Sequence, residues 1–493
     1  MTRIPTKRRL LLAAAVLFLA ALAVGIVARL SLAGMVIDAA LRKAGATDVR
    51  FQVAHATPWR LVVEDLAFLV RLRPFAAREV TLERAHWWTP SLGKVRVAQA
   101  RVELRGEELA GKPPAAAAGP AGGMPRLPVE EISVDGLLVL RAAEAPDQSL
   151  TVRIDAKPAG GSAWAGHTEV TAPGLAVKGE ATYDLANGDL AFNLPEIAVD
   201  LKTWQDFLTR LATVPTGDIV AEGKLRGSAE GRLSAGKFFA SGKVSLREGR
   251  GESKAQAITA EGIEADLEFT DLVNVVTKPG TMRIAELRAG QLVLREMRWE
   301  FSLAGTDRID VAHVSLQTLG GRVSAEPFRF FPSKGELDAV LLVDNVSVEE
   351  VMALTKDLPA KARGRVNGRV PVAIAGNGLR FGSGWLELKP GVKAEIQFNS
   401  QGLLTGGATP GTPAFAVLQR VETGLLKLQV NELRLEIRPP NAPEGRTAQL
   451  HLAGEPLDKS VKAPVTLDLN VNGPLEKLLN MGLDSRLSFG TGK

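Results

Sequence analysis

The sequence has no cysteine in 493 residues. That absence removes disulfide frameworks, thiolate metal sites and thiol nucleophiles together, so stability must come from strand pairing and burial. Aromatic residues are scarce, at 5% with the single tyrosine Tyr183, which leaves little material for the bulky cores of ordinary globules. Histidine is sparse as well. His55, His86, His167, His313 and His451 lie far apart, and none has a second histidine or a carboxylate at ligand spacing on its own element, so no metal is expected. No G-x-S-x-G, H-E-x-x-H or Walker pattern occurs. The 60 basic and 55 acidic residues are spread evenly for a net charge of +5, without the basic block of a nucleic-acid binder. Glu107-Glu108 and Glu349-Glu350 read as solvated surface. An enzyme is therefore not expected, nor a cofactor.

What the chain does have is one long apolar run. Leu10 to Ala28, nineteen residues without a charge, follows Lys7, Arg8 and Arg9. At about 1.5 Å per residue a helix over this run is about 28 Å long, close to the roughly 30 Å hydrocarbon core of a bilayer. Leu10, Leu17, Phe18, Leu22 and Ile26 are expected to form a membrane anchor. The basic N-terminus, Arg3 included, stays cytoplasmic under the positive-inside rule and the bulk is exported. Cleavage near Ala21-Leu22-Ala23 is the competing reading; the length of the run and the lack of a polar stretch before Arg29 favour an uncleaved anchor. Helical spacing then predicts a helix from Ser31 to Ala44, stopped by Gly45.

From Val49 onward the apolar period is two. Ile263, Leu267 and Phe269 alternate with Glu264, Asp266 and Glu268; Leu433, Leu435 and Ile437 alternate with Arg434 and Glu436; and Val465, Leu467, Leu469 and Val471 alternate with Thr466, Asp468 and Asn470. Val177 to Leu185, Leu190 to Leu194, Leu337 to Val343 and Ala394 to Phe398 repeat the pattern. Turn pairs such as Asn187-Gly188, Pro279-Gly280 and Pro390-Gly391 separate the strands, and Gly376-Asn377-Gly378 and Gly382-Ser383-Gly384 read as hairpin turns. Short helices are expected over Asp200 to Ala212, after the capping pair Ser347 and Glu350, and more weakly over Pro413 to Val421 and Pro474 to Met481. Gly111 to Pro128 is low-complexity. Lys361, Arg363 and Arg365 would share one face of a strand, most simply a solvated one. A sheet with one dry face must be a sandwich, a closed barrel or a groove filled by ligand. Small inward residues favour a trough that accepts lipid chains.

Gly320-Gly321-Arg322-Val323, the run Leu341 to Val351, the run Gly364 to Val372, and Leu452-Ala453-Gly454-Glu455-Pro456 occur in that order within Gly320 to Leu479. Together they resemble the C-terminal domain of the YdbH family, one of the AsmA-like envelope families of Gram-negative bacteria. The resemblance implies a mostly β protein. One transmembrane helix in the inner membrane would precede an elongated, twisted antiparallel sheet curled into a taco-like apolar groove, with a few short helices. About 20 to 25 strands at about 4.8 Å would make such a groove roughly 100–120 Å long. It would hold phospholipid acyl chains in the periplasm and carry them between inner and outer membranes, with an outer-membrane lipoprotein as a partner through strand addition. The inward face is expected to comprise Ile263, Leu267, Phe269, Leu337, Leu341, Val343, Ile396, Phe398, Leu433, Leu435, Ile437, Leu467, Leu469 and Val471. The expected organisation is a tip and anchor (1–30), a juxtamembrane helix with first strands (31–110), a loop (111–128), a central groove (129–330) and a C-terminal domain (331–493). Two other readings stay open: a TamB-like assembly factor for outer-membrane proteins, and a structural β-sandwich of the envelope.

Overall fold

A computed structural model describes residues 30–31, 33–43, 45–70, 73–85, 92–105, 129–141, 147–205, 219–235, 237–254, 257–353, 360–375, 378–398, 405, 409–439, 446–458 and 464–472. Leu10 to Ala28 (with Leu10, Leu17, Phe18, Leu22 and Ile26), Gly111 to Pro128 and Pro474 to Met481 lie outside the described residues. Among the described residues no helix is long and apolar enough to cross a membrane.

Short alternating segments punctuated by glycine and proline form strands here, and the chain falls into two compact units. The first is Met1–Val214 with Arg226–Ala240; the second is Pro215–Leu225 with Ser241–Lys493. Unit 1 contains β1 (Ala46–Ala56), β2 (Arg60–Val70), β3 (Arg73–Arg84), β4 (Leu92–Arg105), β5 (Val129–Arg141), β6 (Gln148–Gly160), β7 (Ala163–Ala172), β8 (Leu175–Asp184) and β9 (Leu190–Asp200). β10 (Ile219–Ser234) and β11 (Lys237–Ser253) contribute residues to both units. Unit 2 continues with β12 (Ile258–Asp271), β13 (Val276–Thr277), β14 (Gly280–Ala289), β15 (Leu292–Leu303), β16 (Ile309–Thr318), β17 (Gly321–Ala325), β18 (Phe328–Phe331) and β19 (Glu336–Ser347). It ends with β20 (Ala360–Arg363), β21 (Arg365–Ala375), β22 (Gly378–Phe381), β23 (Gly384–Leu388), β24 (Ala394–Phe398), β25 (Lys427–Ile437), β26 (Arg446–Pro456) and β27 (Val465–Asn472).

The helices follow the sequence signals where they are described. Residues 33–43 are helical, and Gly45 ends them with a left-handed φ of 90° and an N–H donated to the Arg42 carbonyl. Residues 201–205 form the second helix, and the remainder of the expected span to Ala212 lies outside the described residues. The third is Val348–Ala353, where the Ser347 hydroxyl accepts from the Glu350 N–H. Pro413–Leu426 is longer than its apolar stripe suggested, with the Thr412 hydroxyl capping the Phe415 N–H.

Three expectations need correction. The sheet is not purely antiparallel: β4 and β5 run parallel, from Leu92 opposite Val129 to Arg105 opposite Arg141. Parallel neighbours need a long return crossing, and residues 106–128 are the chain available for it. Gly382-Ser383-Gly384 is not a hairpin, because β22 and β23 both pair with β21. It interrupts one line of strand opposite Pro371, which has no N–H to give the ladder. Lys361, Arg363 and Arg365 do not share a strand: Gly364 (φ 151°) separates β20, paired with β24, from β21, paired with β19.

The period of two also slips inside strands. Ala260 and Ile263, Ile284 and Leu287, and Leu294 and Met297 pack into one cluster, so on three neighbouring strands the apolar positions step by three at one level. Between them stand Glu261-Gly262, Ala285-Glu286 and Arg295-Glu296, with Gly262 (φ 64°) and Glu296 (φ 49°) left-handed. A Cβ on Gly262 would sit 2.6 Å from the Ala285 Cβ, so glycine is required there. Unit 1 repeats the device: Val63 and Leu66 are both buried while Glu64 and Asp65 (φ 50°) are exposed. The register sets Asp65, Arg78 and Gln99 (φ 51°) at one level of β2, β3 and β4. An extra outward residue lengthens the polar side of a strand and bends it. Lined up from strand to strand, such outward residues mark a crease across β12, β14 and β15 and another across β2, β3 and β4.

Candidate functional site

In unit 2, register places Leu316, Val323, Val343, Gly368, Leu386, Leu435, Leu450 and Leu469 in one row across eight strands. A second row, Ala265, Met282, Trp299, Val314, Ala325, Leu341 and Val370, runs beside it. One residue over, the row reads Ser315, Ser324, Leu342, Arg369, Trp385, Glu436, Gln449 and Asn470. Side chains opposite one another on paired strands share a face, so one face is apolar throughout and the other is predominantly polar.

Unit 1 has its own apolar row: Leu66, Ala77, Ala100, Gly136, Val152, Val170, Val177 and Ile197. Its opposite face carries a charge ladder, Asp135, Arg153, Glu169, Lys178 and Glu196, in which sign alternates from strand to strand. Arg153 donates to Asp135 at 2.9 Å. Such exposed pairs add little energy, but they fix which face meets water.

The unit 2 face is closed at one end and half open elsewhere. At the closed end Leu428 and Leu452 are fully buried with Ala362, Ala394, Ile396 and Val430, and Val348 and Met352 of the third helix pack on them. Among the described residues Leu428 and Leu452 are the only large side chains below 2% exposure. Along the remaining face Leu337, Leu341, Val343, Leu386 and Leu435 are only partly buried around Ala339, Val370, Val372 and Ile437. Trp299, Phe301 and Ile309 are likewise half-buried around Val311, Val314 and Ala325.

The structure therefore sorts the sequence-derived lining residues. Leu337, Leu341, Val343, Leu435 and Ile437 come together in the half-open cluster. Ile396, Leu433 and Leu467 fall in the closed core. Ile263 belongs to the cluster at the crease, and Leu267 and Phe269 are half-buried opposite Val244 and Gly242. Phe398, Leu469 and Val471 stand in register with Ala360, Leu450 and Ala448. Sequence reading missed Met282, Trp299, Val314, Val370, Leu386 and Leu450, whose membership of the face is set by register. In unit 1 it found the alternations Val177 to Leu185 and Leu190 to Leu194.

The motif Gly320-Gly321 has a backbone cause. Leu319 (φ 49°) and Gly320 (φ 66°) form the two-residue turn between Thr318 and Gly321, and a Cβ on Gly321 would lie 2.5 Å from the Asn345 carbonyl oxygen. Arg365 adds hydrogen bonds to the carbonyls of Gly320 and Asn345 at 2.6 and 3.1 Å.

Histidines find their carboxylates across strands, His451 with Asp468 at 2.7 Å and His167 with Glu180 at 3.4 Å. Among the described residues no group of three or more histidines and acids is placed to hold a metal ion. On the polar face Glu286 accepts from Arg295 and Arg288, and these bonds, that of Arg295 first, hold its carboxyl below the ordinary glutamate value of 4.5. Lys278 lowers Glu268 in the same way, and Asn274 lowers Asp271. A carboxylate whose folded pKa is depressed stabilises the fold above its unfolded value, and that contribution is lost as pH falls through the folded value. Melting temperature should therefore fall on acidification below about pH 4.5, and Glu286→Gln should flatten part of that slope. A parallel pH–melting series on both proteins checks this; identical slopes would remove Glu286 from the account.

Residues 149–392 match the family model described as YdbH-like, intermembrane phospholipid transport protein YdbH. The match includes the Gly320, Leu341 and Gly364 motifs, reaches far upstream of them, and leaves Leu452 to Pro456 outside. No curated protein and no solved structure matches the chain.

Proposed function

Because this chain belongs to the YdbH-like family, whose description is intermembrane phospholipid transport, we propose that its creased apolar faces bind phospholipid acyl chains. The protein is anchored in the inner membrane by Leu10 to Ala28 and works in the periplasm, supporting passage of phospholipid between inner and outer membranes. The observation that carries this reading is the half-open face: an apolar row eight strands wide in which Leu316, Val323, Val343, Leu386, Leu435 and Leu450 are only partly buried. A sandwich would cover such a row with a second layer of side chains. Acyl chains are the complementary cover, needing burial and no hydrogen bonds. β27 pairs with β26, and among the described residues its other edge has no partner. That edge supports strand addition by an outer-membrane lipoprotein.

A photo-crosslinker at Leu435 compared with one at Glu436 tests the reading. The two are adjacent, Leu435 between Leu386 and Leu450, and Glu436 between Trp385 and Gln449. Phospholipid should be captured at Leu435 and not at Glu436. Equal capture, or none, would refute the groove. Capture of an outer-membrane protein at Leu435 would favour the assembly role instead.

A further inference from the structure

The helix over residues 33–43 turns apolar side chains both ways. Ala33, Gly34, Ile37 and Leu41 are half-buried, and Gly34 lies against Phe51 and Val53 of β1. On the opposite side Met35 and Val36 are 67% and 69% exposed, with Ala39 and Ala40 exposed beside them. The last turn carries Arg42 and Lys43, both exposed; Arg42 pairs with Asp38 at 2.8 Å and leaves Lys43 as the cation in line with the stripe. An apolar stripe ending in a cation is the pattern of a helix lying in a membrane interface.

Position in the chain identifies what covers the stripe. Met35 is seven residues beyond Ala28, the end of the uncharged run. Even a fully extended link holds it within about 25 Å of that end, and a helical link within about 11 Å. We infer that Met35, Val36, Ala39 and Ala40 are seated in the headgroup layer of a phospholipid bilayer, with Lys43 at the lipid phosphates. β1, packed on the other side of the helix, then begins at the membrane surface. The inference rests on the proposal that Leu10 to Ala28 is a membrane anchor, and adds a second, lateral contact to it.

The absence of native cysteine makes the test direct. The full chain carrying Met35→Cys, and separately Glu180→Cys on the exposed polar face, is labelled with an environment-sensitive fluorophore. Both are reconstituted into phosphatidylethanolamine–phosphatidylglycerol vesicles with and without a lipid bearing a shallow quencher. The Met35 label should emit blue-shifted light and be quenched several-fold more strongly than the Glu180 label. A chain that floats with the vesicles while its Met35 label behaves as in water overturns the helix inference alone. A chain that does not float overturns the anchor and this inference with it. Lipid capture at Leu435 reads the groove independently of either result.

Discussion

Replacing Leu428 by alanine is expected to lower the unfolding free energy of unit 2 by about 2–5 kcal/mol, the range for emptying a fully buried leucine site. Its side chain is fully enclosed at the closed end of the apolar face, where β20, β24, β25 and β26 meet under Met352. A loss of that size is a large share of a domain's usual stability of about 5–15 kcal/mol. Leu435→Ala removes the same atoms seven residues along the same strand, from a partly buried site, and should weaken the fold much less. Urea unfolding, with hydrogen exchange read at β25 and β26, compares the two. Equal losses would mean that the face is as enclosed at Leu435 as at Leu428, which would contradict an open trough.

The second large effect concerns lipid. Leu341→Glu should reduce phospholipid recovered with the purified protein about tenfold or more. An unpaired carboxylate among acyl chains costs several kcal/mol, and each 1.4 kcal/mol is a factor of ten in affinity. Leu341 touches both half-open clusters, so the charge would stand where the two join. Leu342→Glu is the control: that side chain points to the polar face and is 39% exposed, so lipid recovery should be unchanged. Mass spectrometry of the extracted lipid gives the ratio, and circular dichroism verifies that both variants keep their strands. Equal lipid in Leu341→Glu and the parent protein would end the case for this face as the binding surface.

Which parts of this were legible in the sequence follows from the range of the interactions involved. Ile263 to Phe269 alternate cleanly because that half of β12 lies on one side of the crease, and a local pattern records a local environment. The other half of β12 is out of phase by one residue, and only the left-handed conformation of Gly262 brings Ala260 to the inward face. The caps at Ser347 and Gly45 could be read because capping is decided within four residues. The parallel pairing of β4 with β5 could not, because its two strands are joined by residues 106–128 and nothing in either strand specifies direction. Leu428 and Leu452 likewise look like any other alternating leucines. Packing from elsewhere in the chain, Val348 and Met352 among it, makes their end of the face a closed core.

The crease has a mechanical consequence. Along the stack of strands every step is bridged by ladder hydrogen bonds, so stretching the sheet in that direction breaks them. Across the line of Gly262, Ala285 and Glu296, or of Asp65, Arg78 and Gln99, the pairing is already interrupted, and bending there sacrifices few or no further bonds. Each unit is therefore expected to be stiffer along its stack of strands than across its crease. The angle across such a crease can change while the length of the strand stack stays fixed.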